Sequence, residues 1–413
     1  MSPLRRKVLR DLRRLWAQVL AIVLVLAAGV ATLILGNGAY SSLTETRARY
    51  YDDSRFADVF ADVTRAPLAL LADIEAIDGV LDAEARIVNL GRPDLPGMAE
   101  PASLLLVSLP QAGDAGLNRL YLRQGRLPDP TSHREIVVSE GFAQAHRLRP
   151  GAPLTVVMNG RSAKMQVTGI ALSPEFIYAL GPGDMMPDPR RFGIAWAPRA
   201  SLEAAFTLDG AFSNVVLKLM PGISVERVIE DLDRLTARYG GTGATARSDQ
   251  ISHAFLDAEL NQLSAMVKVL PPIFLLVAAM LVNMTLSRLI TLEREQIGLL
   301  KAIGYSSRAV ALHYMEFVLC ISLIGIVVGL AAGAWLGAGL AGMYARFFSF
   351  PFLVFTRDPQ VYGLAALVAG TAAAGGALRG VQKVARLPPA VAMLPSAPSA
   401  YQDRLGRFRH VLG

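Results

Sequence analysis

Residues 15–35, LWAQVLAIVLVLAAGVATLIL, run for about 21 positions without a charged side chain. A helix of about 20 mainly apolar residues spans the roughly 30 Å hydrocarbon core of a bilayer. Further apolar stretches lie within 269–287, 308–345 and 360–378, so the chain is expected to cross a membrane four times. A composition of 53% hydrophobic and 18% charged residues agrees with that reading and argues against an ordinary soluble protein.

The first run is preceded by Arg5, Arg6, Lys7, Arg10, Arg13 and Arg14. A cleaved signal peptide can begin the same way. Its apolar core is usually shorter than this one, and the following GNGAYSSL is a poor cleavage site, so an uncleaved anchor is expected. Residues 1–14, 288–308 and 379–413 together hold 16 Lys+Arg against 4 Asp+Glu, a surplus of 12 in a chain whose net charge is +7. The remainder is therefore acidic by 5. Basic excess confined to segments that flank apolar helices marks the cytoplasmic side of a membrane. Both termini are accordingly placed in the cytoplasm of a multi-pass protein of the bacterial inner membrane, and the charge calls for no nucleic-acid partner. The single cysteine, Cys320, rules out an intrachain disulfide.

Between the first two spans, residues 37–251 return to globular composition, and they are read as an extracytoplasmic α+β domain. EIVVSEGFAQAHRLRPGAPLTVVMNGRSAKMQVTGIALS reads as strand, short helix, strand, turn and strand, with Asn159-Gly160 as a hairpin signal. The segment AFSNVVLKLMPGISVERVIEDLDRLTARYGG reads as a strand and then a helix with Val225, Val228, Ile229, Leu232 and Leu235 on one face. PLALLADIEAIDGVLDAEARIVNL repeats the helix-then-strand pattern, so the domain can divide into two lobes. Residues 252–268 are read as a stalk helix that bends or restarts at Pro271-Pro272 to become the second span, 269–287.

Residues 288–307 form the cytoplasmic connection. Within it TLEREQIGLLKAIGY mixes charges with apolar residues at helical spacing, as suits a short helix on a membrane face, and Gly304 is placed to stop it. Glu293, Ile297 and Leu300 share a side with Gly304, while the alternating pair Glu293 and Glu295 reads most simply as solvated. In the third span Gly325, Gly329, Gly333 and Gly337 recur every fourth residue and should let another helix approach closely. Glu316, near the entry of that span, is expensive unless partnered. It is expected to bond Arg308 or His313, the alternative being a gating or substrate-contact role. The connection 346–359, RFFSFPFLVFTRDP, returns to the outer side with phenylalanines that suit the membrane interface, and residues 379–413 form a cytoplasmic tail.

Catalytic chemistry is not indicated. The chain has no G-x-x-x-x-G-K-[ST] phosphate loop and no G-x-S-x-G elbow, and its five histidines lack metal-ligand spacing. Gly241-x-Gly243-x-x-Ala246 follows a helix rather than a strand, and reads as a helix stop. No catalytic or metal residue is assigned, and no cofactor is expected; any ATP must be bound by another polypeptide.

The segments EREQIGLLKAIGYSSRAV, ARLPPAVAMLP and LYLRQGRLPDPTSHREIVVSEGFAQAHRLRPGAPLTVV resemble the FtsX-like permeases, the membrane subunits of MacB- and LolC-type ABC transporters. The resemblance covers nearly the whole chain. It implies that the helix within 291–305 is a coupling helix seated on a cytoplasmic ABC ATPase subunit, with Glu293, Arg294, Ile297, Gly298, Leu300, Lys301 and Gly304 at the contact. It also implies a second permease copy or a sister permease, since the tail resembles the connector to a second membrane half in longer relatives. Periplasmic or outer-membrane partners and membrane lipid complete the expected set.

Two functions follow from that resemblance. One is export or extraction of lipid, lipoprotein or another hydrophobic substrate, with ATPase movement transmitted through the membrane to the outer domain. The other is transmission of that movement to outer-side enzymes without transport. A sensor receptor is a third reading, but it leaves the last two spans without a role.

Overall fold

The computed structural model describes residues 3–386 apart from 96–97, 99, 111–115 and 356–357. The tail beyond 386 and most of ARLPPAVAMLP therefore lie outside the described residues. In chain order the elements are α1 (Pro3–Arg14), α2 (Trp16–Asp53), β1 (Val59–Pro67), α3 (Leu70–Glu75), β2 (Val80–Arg86), β3 (Val88–Asp94), β4 (Ser103–Leu109), β5 (Tyr121–Gly125), β6 (Glu135–Ser139), α4 (Glu140–Ala145), β7 (Pro153–Met158), β8 (Arg161–Leu172), β9 (Phe192–Pro198), α5 (Arg199–Phe206), β10 (Ala211–Leu219), α6 (Val225–Thr236), β11 (Thr245–Ala246), α7 (Ile251–Leu292), α8 (Arg294–Ala302), α9 (Ser307–Phe347) and α10 (Pro359–Arg386). They fall into two compact units, one built from residues up to 36, 266–337 and 358 onward, the other from 37–265 and 338–357.

In the first unit α2, α7, α9 and α10 are long and apolar enough to cross a membrane. Glycines set how closely they pack. A Cβ on Gly325 would stand 2.9 Å from Leu26, on Gly329 2.7 Å from Val30, on Gly333 2.8 Å from Ile34 and on Gly337 3.3 Å from Leu35. All four therefore lie against α2. Gly376 and Gly380 of α10 meet Ala279 and Leu286 of α7 in the same way. Without Cβ atoms the backbones approach closely, which is how helices gain contact where lipid offers no hydrophobic drive. Pro271 and Pro272 sit inside α7, which stays helical through them, so of the bend or restart expected there, the restart does not occur. Proline removes an intrahelical hydrogen bond, but neighbouring helices make this tolerable in a membrane span.

The N-terminal basic stretch, read from sequence only as a charged leader to the first span, is a helix of its own. Val8 is buried, with Leu12 packed beside it against Leu289, Ile290 and Tyr314, while Arg10, Arg13 and Arg14 are exposed.

The second unit has two sheets. The smaller, ordered β11-β1-β10-β2, is covered by α3 and α6, whose Ile74, Val228 and Leu232 join Val59, Val215 and Leu217 in one core. The larger, ordered β5-β8-β6-β9-β4-β3-β7, closes on itself because β7 also pairs with β8. Met158 pairs with Arg161 across the Asn159-Gly160 turn, where both residues have positive φ (47° and 76°). Two such residues make the tight hairpin whose twist matches the strands. The larger sheet is inserted between β2 and β10 of the smaller one. Arg199 joins the two crossing points, donating to the carbonyl oxygens of Ala85 (2.8 Å) and Ala211 (2.7 Å).

A third cluster in this unit is built on the extensions of two long helices. Residues 37–53 continue α2 as helix, where the sequence placed the start of the globular domain. Their Leu43, Tyr50 and Tyr51 pack with Leu256, Leu260 and Leu263 of α7. In the loop after α9, Phe348 and Phe350 are buried in that same cluster, beside Tyr178 and Tyr50, while Phe347 at the end of α9 is exposed.

Candidate functional site

The sequence singles out the connection between α7 and α9, and the structure gives it defined ends. Glu293 alone separates α7 from α8, with φ −101° and ψ 14°. At the other end Gly304 has φ +100°. Tyr305 N–H donates to the Leu300 carbonyl (3.1 Å) and Gly304 N–H to that of Lys301 (3.2 Å). This pair of bonds around a left-handed glycine closes a helix and satisfies its last carbonyls. The Ser306 hydroxyl then accepts from Ala309 N–H (3.2 Å) and caps α9.

Several residues expected to face outward face inward. Glu293 is only 2% exposed, so the solvated reading of the Glu293 and Glu295 pair is corrected for Glu293. Its carboxylate accepts from Lys7 Nζ at 2.5 Å and from the Tyr314 hydroxyl at 2.9 Å. Ile297 and Gly298 are buried, and Leu300 is packed beside Ile297, Val310 and Tyr314. Lys301 donates to the carbonyl oxygens of Val384 (2.8 Å) and Ala385 (3.4 Å) near the end of α10. A cation suits the negative end of a helix dipole. Partial burial lowers the Lys301 pKa below its ordinary value. Arg294 is half-buried, and Gly304 is exposed.

The outward face of this segment is a different set: Leu292 (59% exposed), Glu295, Gln296, Leu299 (55%) and Ile303 (67%). Leu299 and Ile303, four apart, lie on one side of α8 and its end, and Leu292 is exposed at the end of α7, before the joint. That spacing was visible in the sequence, but apolar residues at helical spacing read first as core. Only the packing of Ile297 and Leu300 shows which stripe is taken.

Glu316 makes no hydrogen bond or ion pair among the described residues, and the expected bonds to Arg308 or His313 are absent. It is exposed on the stripe of α9 that carries the exposed Leu312, Leu319 and Leu323. His313 instead turns inward, with Nε2 4.0 Å from Asp11 Oδ2. Lys7, Asp11 and Tyr314, which sequence reasoning did not select, complete the polar cluster around Glu293. No local signal links Lys7 to a residue 286 positions away.

The family model described as FtsX-like permease C-terminal matches residues 269–389, and the one described as MacB-like periplasmic core domain matches residues 17–235. Among curated proteins, the chain is similar to an uncharacterized ABC transporter permease protein, Rv0987, of Mycobacterium tuberculosis, with 24% identity over 269 residues. That alignment covers 64% of this chain and 28% of the relative, so the chain spans less than a third of the relative's length. Among solved structures, the extracellular domain of the noncanonic ABC-type transporter YknZ from Gram-positive bacteria is similar at 13% identity and a TM-score of 0.32. It covers 46% of this chain and 98% of that one. The periplasmic region of MacB from Actinobacillus actinomycetemcomitans is similar at 14% identity and a TM-score of 0.32, covering 51% of this chain and 97% of that one.

Proposed function

The chain belongs to the ABC transporter permeases of the MacB/FtsX type, and from that premise we propose that it couples a separate cytoplasmic ABC ATPase to the outer α+β unit through α7 and α8. The observation that carries this reading is the course of α7. One uninterrupted 42-residue helix begins with Leu256, Leu260 and Leu263 in a core of the outer unit and ends at the joint with α8. A helix carries displacement along its axis through hydrogen bonds that lie within it, and α7 keeps its helical course through Pro271 and Pro272, whose nitrogens have no N–H to donate. The docking surface for the ATPase is the exposed set of Leu292, Glu295, Gln296, Leu299 and Ile303, with Arg294 at its edge. Glu293, Ile297, Gly298 and Leu300 shape that surface from behind, Lys301 ties it to α10, and the exposed Gly304 ends it.

ATP is bound by the partner, and this chain supplies no catalytic group. A second permease copy or a sister permease provides the other docking helix. Movement delivered to the outer unit drives export or extraction of a hydrophobic substrate such as a lipid or lipoprotein, with a periplasmic or outer-membrane protein as acceptor. The protein sits in the bacterial inner membrane with both termini in the cytoplasm, as the basic segments support.

The test is capture of the ATPase from the host by the tagged full-length permease. Leu299→Asp should weaken capture about tenfold or more, as for a buried interface anchor. Gly342→Ala, where an added Cβ meets nothing within 4 Å, should leave capture unchanged. Equal capture by Leu299→Asp and the parent would overturn the docking assignment.

A further inference from the structure

We propose that the N-terminal helix α1 positions α8, acting through Lys7 on the single residue that joins α7 to α8. The inference rests on the coupling reading for its consequence but not for its geometry. Glu293 is both the non-helical joint and the residue whose carboxylate is gripped from two other elements. Lys7 of α1 reaches Oε2 at 2.5 Å, and Tyr314 of α9 reaches the same oxygen at 2.9 Å.

Lys7 is itself set in place by its second bond, to Asp11 Oδ2 at 3.0 Å one turn along α1. Val8 and Leu12 seat the helix in the apolar cluster that also holds Leu289, Ile290 and Ile297, residues on both sides of the joint. The other carboxylate oxygen of Glu293 is buried with no hydrogen-bond partner. Lys7 is therefore the one cation bonded to this carboxylate among the described residues. A buried carboxylate that loses its cation must find water or a proton, and the residue carrying it then moves.

At Glu293 such a move is amplified. The residue leaves helical dihedrals, so rotation there swings α8 against α7 without breaking either helix. With Lys7 engaged, the outward face of α8 with Leu299 and Ile303 holds one orientation relative to Leu292 at the end of α7. With α1 unseated it does not. A basic N-terminus that sequence reads as a topology signal is, in this geometry, the positioning element of the coupling segment.

The experiment uses the full chain in lipid nanodiscs with Cys320→Ser and spin labels at Met280→Cys and Leu299→Cys, both exposed. These positions are about 28 Å apart along a straight helix at 1.5 Å per residue, within range of pulsed dipolar spectroscopy. Lys7→Met is expected to shift and broaden the distance distribution, Glu293→Gln to do the same, and the double variant to add nothing further, as for two residues acting through one contact. Lys7→Arg should keep the parent distribution, and so should Arg10→Gln on the exposed face of α1. A parent-like distribution for Lys7→Met, or additive effects in the double variant, overturns the proposal. Stimulation of the ATPase by Lys7→Met and Glu293→Gln in the unlabelled chain, with Leu299 intact, separates the two readings. A distance shift with unchanged stimulation keeps the positioning role of α1 and removes the coupling role of α8.

Discussion

Arg86 and Glu175 meet end to end, with Nη1 2.8 Å from Oε2 and Nη2 3.0 Å from Oε1, and so tie the small sheet of the outer unit to the segment that follows β8 of the closed sheet. Arg86 is 4% exposed and also donates twice to Asn214, while Asn118 donates to Glu175. The pair sits where the inserted sheet leaves and rejoins the smaller one. Arg86→Ala leaves Glu175 without its cation, and the expected cost is about 3–5 kcal/mol. Replacing both, Arg86→Met with Glu175→Leu, should recover most of that loss. Thermal unfolding of the full chain followed by circular dichroism reads both. A single variant within about 1 kcal/mol of the parent would contradict the assignment.

Gly329 and Gly339 lie on the same helix, yet their environments differ. A Cβ at Gly329 would stand 2.7 Å from Val30 and 2.8 Å from the Ala27 carbonyl oxygen, whereas one at Gly339 meets nothing within 4 Å. Gly329→Ala must therefore push α9 away from α2, at about 1–3 kcal/mol. Gly339→Ala should be neutral or stabilise by about 0.5–1 kcal/mol, because glycine is a poor helix former. Thermal aggregation midpoints in nanodiscs decide the matter, and equal midpoints for the two variants would sink the packing account.

Gly304 has open space around it but a backbone that other residues adopt only with strain. Gly304→Ala should cost about 1–2 kcal/mol through its positive φ alone. Hydrogen exchange localises the effect. Faster exchange confined to residues 300–306 is expected, and an unchanged rate there would show that the turn tolerates a side chain.

Glu84 gives the outer unit a pH signature. Burial pushes its carboxyl above the ordinary value, against the pull of Arg86 and the Leu117 N–H at 2.7 Å. A raised carboxyl pKa means the folded state holds the proton more tightly. Stability from this group is then complete below its unfolded value of about 4.3 and is lost as pH rises through the folded value. Glu84→Gln keeps an acceptor for Leu117 and should raise stability at neutral pH, with the gain vanishing near pH 4. Melting temperatures of the two forms from pH 4 to 8 test this, and parallel curves would count against a raised pKa.

The order of parts was legible in the residues themselves. Four apolar runs, basic flanks, the glycines of α9 and the Asn159-Gly160 hairpin each depend on neighbours in sequence or on helical and strand periodicity, so local pattern carries them. The α+β character of residues 37–251 followed for the same reason. The ends of the elements did not. α2 and α7 extend well past their apolar runs because Leu43, Tyr50, Leu256 and Leu260 find a core in the outer unit, and no single run encodes that meeting. The same limit applies at the coupling segment. Sequence marked 291–305 by its mixture of charge and apolar residues, and a helix of that pattern offers two apolar stripes of similar strength. Tertiary packing chose between them: Ile297 and Leu300 went inward, and Leu292, Leu299 and Ile303 were left exposed. Glu293 looked like a solvated charge because its partners, Lys7 and Tyr314, are 286 and 21 residues away. A carboxylate's environment is set by what the fold brings within about 4 Å of it, and only the three-dimensional arrangement supplies that distance.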